Sequence, residues 1–241
     1  MYYLYTPSPF LELLVSTPFR GCCVLRLAQN KGKTMQIITL SPRGFGANTY
    51  IITEDNKHAI VIDPSQTRVE GELIKLGLQP TCVLLTHCHF DHVGGVAVLQ
   101  EAGAKVYCSQ QEKPLVNTGA DLFEMFGAPR VLYKADETFA DNEEKLLNGI
   151  SVKALVTSGH TAGSCCYLFT DKEGGRYLFT GDTLFAGSIG RTDFPTGNLT
   201  ELRASLKRLA KLDGDMPVYA GHNEPTTLDN ERKRNPFLRD A

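Results

Sequence analysis

An α+β fold of stacked helix and sheet layers is what this sequence predicts, and three features predict it. From Met35 onward, short apolar runs alternate with helical segments. The runs have the length and the β-branched, apolar character of buried strands. The helical segments keep their apolar residues to one face, as an element covering a sheet must. At 241 residues the chain suits one large domain with a core able to enclose a buried polar site.

Residues 1–34 stand apart. Pro7, Pro9, Glu12 and Pro18 lie in or around their apolar stretch Phe10 to Val15, and no basic residue precedes it as a secretion signal would require. They are read as a poorly structured extension or an upstream misread start, and 35–241 as the domain. Gln36–Leu40, Thr49–Thr53 and His58–Ile62 read as the first strands, the last two joined through the turn residues Asp55 and Asn56. Residues 70–78 carry Leu73, Ile74, Leu76 and Leu78 at helical spacing and stop before Pro80. A buried strand is expected over 81–86, a helix over 93–102 and a strand over 105–108, followed by a mixed and largely helical 110–140.

Strand character returns at Ile150–Val156, 165–169 and 177–179, with Lys172-Glu173-Gly174-Gly175 as a hairpin turn. The strongest helix spans 199–212, where Leu202, Leu206, Leu209 and Leu212 share a face. Pro217–Ala220 is a last strand before a charged tail.

With 25 basic and 27 acidic residues the net charge is -2, which supplies no field for nucleic acid or an anionic membrane. No apolar run approaches the roughly 18 residues of a membrane span. The seven cysteines form no C-x-x-C pair, and an odd count without framework spacing suits a reducing cytoplasm.

The chemistry concentrates in His87-Cys88-His89-Phe90-Asp91-His92, at a strand end that turns into a helix. Alternation sends His87 and His89 to one side, where both can reach one cation, and Cys88 to the core. The turn carries Asp91 and His92 onward toward a second cation, and paired metals about 3.5–4 Å apart need ligands for both from one tight segment plus distant loops. Those loops are Gly159-His160, Gly181-Asp182 and Gly221-His222, each after a strand and each with a glycine that lets the backbone bend into a crowded site. Packing alone has no use for such a run, whose side chains would be costly to bury unpartnered. Of the six histidines, only His58 lies outside these contexts and is read as structural.

This ordered set, with Thr86-His87-x-His89-x-Asp91-His92, Gly-His, Gly-Asp-Thr-Leu-Phe and a final Gly-His, resembles the metallo-β-lactamase superfamily in its glyoxalase II-like branch. The resemblance implies a four-layer αββα sandwich with the site at the edge between two mixed sheets. It implies two divalent cations, zinc being expected and iron or manganese the alternatives. His87, His89 and His160 would hold one, and Asp91, His92 and His222 the other, with Asp182 bridging.

Asp63 matches the family's strand-end aspartate that orients a ligand histidine, and Asp91 is a candidate proton carrier. Residues 184–194 resemble the family's substrate loop, in which Arg191 would bind a substrate carboxylate. The implied reaction is hydrolysis of a hydroxyacylglutathione-type thioester by a hydroxide shared between the two cations. An aspartate at 182 differs from the cysteine common in the best-known antibiotic-degrading branch. The short ending, 19 residues beyond His222, is like that of shorter bacterial glyoxalase II-like hydrolases. The alternatives are an iron-dependent persulfide dioxygenase on His87, His160 and Asp182, and hydrolysis of a lactone or phosphodiester.

Overall fold

The strand His58–Ile62 shows how the layers arise. Ala59 and Val61 point into one apolar cluster while Ile60 and Ile62 point into another, and all four are buried, as the two-residue period of a strand covered on both faces requires. The computed structural model describes residues 25–27, 35–42, 44 and 46–239. Its first half contains β1 (Leu25–Leu27), β2 (Gln36–Leu40), β3 (Thr49–Thr53), β4 (His58–Ile62), α1 (Arg68–Leu76), β5 (Gln79–Leu84), α2 (Phe90–Val93), α3 (Val96–Glu101), β6 (Lys105–Ser109) and β7 (Glu137–Phe139). Its second half contains β8 (Glu144–Leu147), β9 (Ile150–Val156), β10 (Cys165–Thr170), β11 (Arg176–Gly181), β12 (Leu184–Phe185), β13 (Ser188–Ile189), α4 (Leu199–Ala210), β14 (Pro217–Ala220), β15 (Thr226–Thr227), α5 (Leu228–Arg234) and α6 (Pro236–Arg239).

Two mixed sheets result, a seven-stranded one in the order β1 to β7 and a six-stranded one in the order β15-β14-β11-β10-β9-β8. Tyr50, Ile52, Ile60, Leu84 and Phe139 of the first face Val152, Tyr167, Phe169 and Phe179 of the second across one core. Val69 and Leu73 of α1, with Val96 and Leu99 of α3, cover the outer face of the first sheet. Leu202, Leu206 and Leu209 of α4, with Leu228 and Leu238, cover the outer face of the second. The molecule is therefore a four-layer αββα sandwich of the α+β class.

Three expectations are corrected. A single helix over 93–102 is instead α2 and α3, divided at Gly94-Gly95. A Cβ at Gly94 would overlap the Ser65 carbonyl oxygen, and one at Gly95 would lie 2.6 Å from that of Gln66, so backbone packs on backbone here. Residues 110–140 hold only the 3-10 turns Lys113–Leu115 and Gly119–Asp121 before β7, since Pro114, Gly119, Gly127 and Pro129 interrupt any helix. Pro217–Ala220 is not the last strand, because Thr226–Thr227 returns antiparallel beside it, and the charged tail beyond continues as two helices anchored by the buried Leu228 and Leu238.

Within 1–34, Leu25–Leu27 pairs with β2 as an edge strand, and the rest lies outside the described residues. The five described cysteines are free and buried. Among the described residues no helix is long and apolar enough to cross a membrane.

Candidate metal centre

Parallel strands place their carboxyl ends side by side, and both sheets contain such pairs, β4 with β5 and β11 with β14. Asp63 follows β4 and the His87–His92 segment follows β5, whereas Asp182 follows β11 and His222 follows β14. His160 comes from the loop after β9. All seven side chains singled out in the sequence meet in one cluster at that end of the sandwich, and His58 does not, pairing instead with Asp55 at 2.6 Å.

The cluster resolves into trios able to hold a cation: His87, His89 and His160; Asp91, His92 and His222; and His87, His92 and Asp182 between them, with ligand atoms within 4.8 Å of one another in each. The Asp182 carboxylate is central. Its Oδ1 lies 3.3 Å from His92 Nε2, and its Oδ2 lies 3.5 Å from His160 Nε2 and 3.4 Å from His222 Nε2. Asp91 Oδ2 is 3.3 Å from His222 Nε2, and His89 Nδ1 is 2.9 Å from His160 Nε2.

Do these residues fit metal ions? His87 Nε2, His89 Nε2, His92 Nε2 and Asp182 Oδ1 are buried with no hydrogen-bond partner. Although His92 Nε2 and Asp182 Oδ1 are 3.3 Å apart, they are not aligned as a hydrogen bond. A buried polar atom left unsatisfied costs about 1–3 kcal/mol, so four converging ones point to a cation as the missing partner.

Electrostatics agree with that reading. Burial, with the neighbouring imidazoles, pushes His87 well below the usual histidine range, and burial pushes His89 down to about 3. Burial opposes a proton on His92 and His222 too, but Asp182 and Asp91 outweigh it, raising His92 well above the ordinary value and His222 to about 9. Protons on those two rings are charges that cations would replace.

Hydrogen bonds set the rings. Asp63 accepts from the Thr86 backbone amide at 2.8 Å and from Thr86 Oγ1 at 2.6 Å, and its Oδ2 is 2.9 Å from His92 Nδ1. Thr86 Oγ1 in turn lies 3.1 Å from His87 Nδ1. His160 Nδ1 donates to the Arg191 carbonyl oxygen at 2.8 Å. Glycine is needed at 221, where a Cβ would overlap Asp182 Oδ1 and sit 2.7 Å from His92 Cε1.

Arg191 lines the adjoining cavity of about 470 Å³, within the range of small-molecule sites. Its Nε and Nη2 each bond Asp193 at 2.6 Å, so the edge that would grip a substrate carboxylate is already held by one.

Glu112 is a site residue that sequence reasoning missed. Fully buried, it accepts the Cys88 amide at 2.8 Å and Thr161 Oγ1 at 2.7 Å, tying the His87–His89 strand end to the His160 loop. Nothing local marks it, since a glutamate among Gln110, Gln111 and Lys113 reads as surface.

Fold and cluster together define a class. The chain belongs to the metallo-beta-lactamase superfamily, whose family model matches residues 42–222, and within it is a metal-dependent hydrolase. It is 35% identical over 211 residues to the hydroxyacylglutathione hydrolase GloC of Haemophilus influenzae, covering 85% of this chain and 98% of that one. The BLEG-1 B3 metallo-beta-lactamase superposes with a TM-score of 0.75 at 33% identity, over 85% of this chain and 99% of its own. TTHA1623, crystallised in a di-iron-bound form, superposes at 0.68 with 34% identity, over 84% and 99%.

Proposed function

We propose that the chain hydrolyses a thioester of the hydroxyacylglutathione type at a two-cation centre. His87, His89 and His160 hold one cation, and Asp91, His92 and His222 the other. The observation that carries this reading is Asp182, whose carboxylate lies within 3.3–3.5 Å of histidines from both trios. Two divalent cations bound there supply a water acidic enough to ionise near neutral pH and a Lewis acid for a carbonyl oxygen.

The chain's own groups do the rest. Asp63 keeps a proton on His92 Nδ1 and turns Nε2 to the centre, while the Arg191 carbonyl does the same for His160. Asp91, partly exposed at the cavity, is placed to carry a proton to the departing thiolate. A substrate carboxylate reaches Arg191 by displacing Asp193.

The GloC likeness supports the thioester, and the di-iron form of TTHA1623 makes iron as well as zinc a reasonable occupant. A one-iron dioxygenase on His87, His160 and Asp182 would leave the Asp91, His92 and His222 trio without work.

Elemental analysis of the purified protein, with a panel of S-D-lactoylglutathione, a homoserine lactone, a β-lactam and a phosphodiester, tests the reading. Two metals per chain and fastest turnover of the thioester are expected, with activity lost in Asp182→Ala. One iron per chain, with oxygen uptake on glutathione persulfide, would overturn it.

A further inference from the structure

Three phenylalanine rings close one side of the cavity beside the cluster. Phe90 and Phe126 stack with centroids 4.8 Å apart and planes 24° from parallel. Phe194 meets Phe126 edge-on at 5.7 Å and the His89 ring at 5.9 Å. The three come from separate places, Phe90 at the start of α2, Phe126 after the second 3-10 turn and Phe194 after β13. The fold has thus assembled a continuous apolar surface running from a metal-facing histidine out to solvent.

Phe126 is 51% exposed. A ring held in a stack yet left half open contributes little to the core, and an exposed apolar surface contiguous with a polar cleft marks a ligand face. Charge points the same way. Arg191 is the one arginine or lysine among the described residues lining the cavity. Its charge is balanced by Asp193, and its guanidinium lies 3.9 Å from the centre of the Phe194 ring. The arginine covers the Phe194 face at the edge of the wall, so the charge that would take the carboxylate of the thiol half stands beside the apolar surface and not within it.

We propose that this wall is an acyl pocket and that the enzyme selects thioesters whose acyl group carries an aryl or comparably bulky apolar substituent. The proposal rests on the thioester reading above. Within that reading the thiol half is a charged, polar peptide, so the acyl half is the part that gains from three phenylalanine faces. The overall step is unchanged: water adds its oxygen to the acyl carbon, the C–S bond breaks, and the thiol leaves with the remaining proton.

The test compares kcat/KM for S-D-mandeloylglutathione and S-D-lactoylglutathione on the metal-loaded full chain. These substrates differ by a phenyl in place of a methyl. A fitted apolar pocket should favour the mandeloyl substrate at least about tenfold. Phe126→Ala should remove most of that preference, lowering kcat/KM for the mandeloyl substrate far more than for the lactoyl one. Phe126 is half exposed on a loop, so its truncation leaves the core filled.

Calorimetric binding of D-mandelate against D-lactate reads the wall without turnover. Tighter mandelate binding that collapses in Phe126→Ala supports the pocket. If neither thioester is cleaved but mandelate still binds tighter, the thioester reading falls and the apolar wall stands. If both thioesters are cleaved equally well and both acids bind alike, the acyl pocket is overturned while the thioester reading survives.

Discussion

Glu112 Oε1 accepts the backbone amide of Cys88 at 2.8 Å although the two residues are 24 apart in the chain. The other oxygen of the same buried carboxylate takes Thr161 Oγ1 at 2.7 Å. Cys88 sits between His87 and His89, and Thr161 follows His160, so one side chain holds the two segments that form the first histidine trio.

Glu112→Ala should therefore weaken that trio specifically. A lost supporting contact of this kind costs about 10–100-fold in metal affinity. Dialysis against a graded chelator, followed by elemental analysis, should show one ion released earlier than in the unmodified protein. Glu112→Gln keeps an oxygen for the Cys88 amide and an amide that Thr161 can accept from, so it should retain most of the affinity. Equal ion retention in the alanine variant would contradict the tie.

Asp63 stands at a backbone φ of +47°, a left-handed conformation that asparagine tolerates and alanine does not. Asp63→Asn should fold, yet remove the acceptor for His92 Nδ1 and lower kcat with little change in KM. Asp63→Ala should add about 1–2 kcal/mol of backbone strain and depress the melting temperature as well. A melting experiment beside steady-state kinetics separates the two effects.

Gly221→Ala would place a methyl group against Asp182 Oδ1 and His92 Cε1. The expected result is a folded protein, by circular dichroism, with fewer than two ions per chain and no hydrolysis. Full metal content in this variant would mean that Asp182 can move aside at no cost.

Removing the cations should destabilise the protein, because ligand binding to the native state adds RT ln(1 + [L]/Kd), about 2.7 kcal/mol at a hundredfold excess over Kd. Thermal scans of chelated and zinc-restored protein should differ accordingly, with activity returning on restoration. An unchanged melting curve would argue against resident metal.

Asp193→Asn leaves the Arg191 guanidinium without its bidentate partner. A substrate that bears a carboxylate should then show a lower KM at nearly constant kcat, and Arg191→Ala should abolish the difference. No KM change in Asp193→Asn would remove Arg191 from carboxylate binding.

Much of this molecule was legible in its residues. The period of β4 and of α4 reports which faces are buried, because burial of alternate or every third to fourth residue is a local consequence of backbone geometry. The seven imidazole and carboxylate residues were legible because such groups, crowded at strand ends, have little other use. The split helix at Gly94-Gly95 was less so, since its cause is the Ser65 and Gln66 backbone, nearly thirty residues away. The stretch 110–140 misled because its apolar residues, among them Phe123 and Tyr133, are buried from loops rather than from a helix.

What the linear order of residues determined was the layered αββα architecture, the superfamily and the inventory of ligand candidates. The grouping of the histidines into two trios about Asp182 was implied by the family resemblance, whereas tertiary structure alone decided that Glu112 ties two loops, that Asp193 neutralises Arg191 and that three distant phenylalanines make one wall. Periodicity and spacing carry information only over a turn or two of chain. These relationships are contacts between segments tens of residues apart, set when two sheets pack and bring their strand ends to one place.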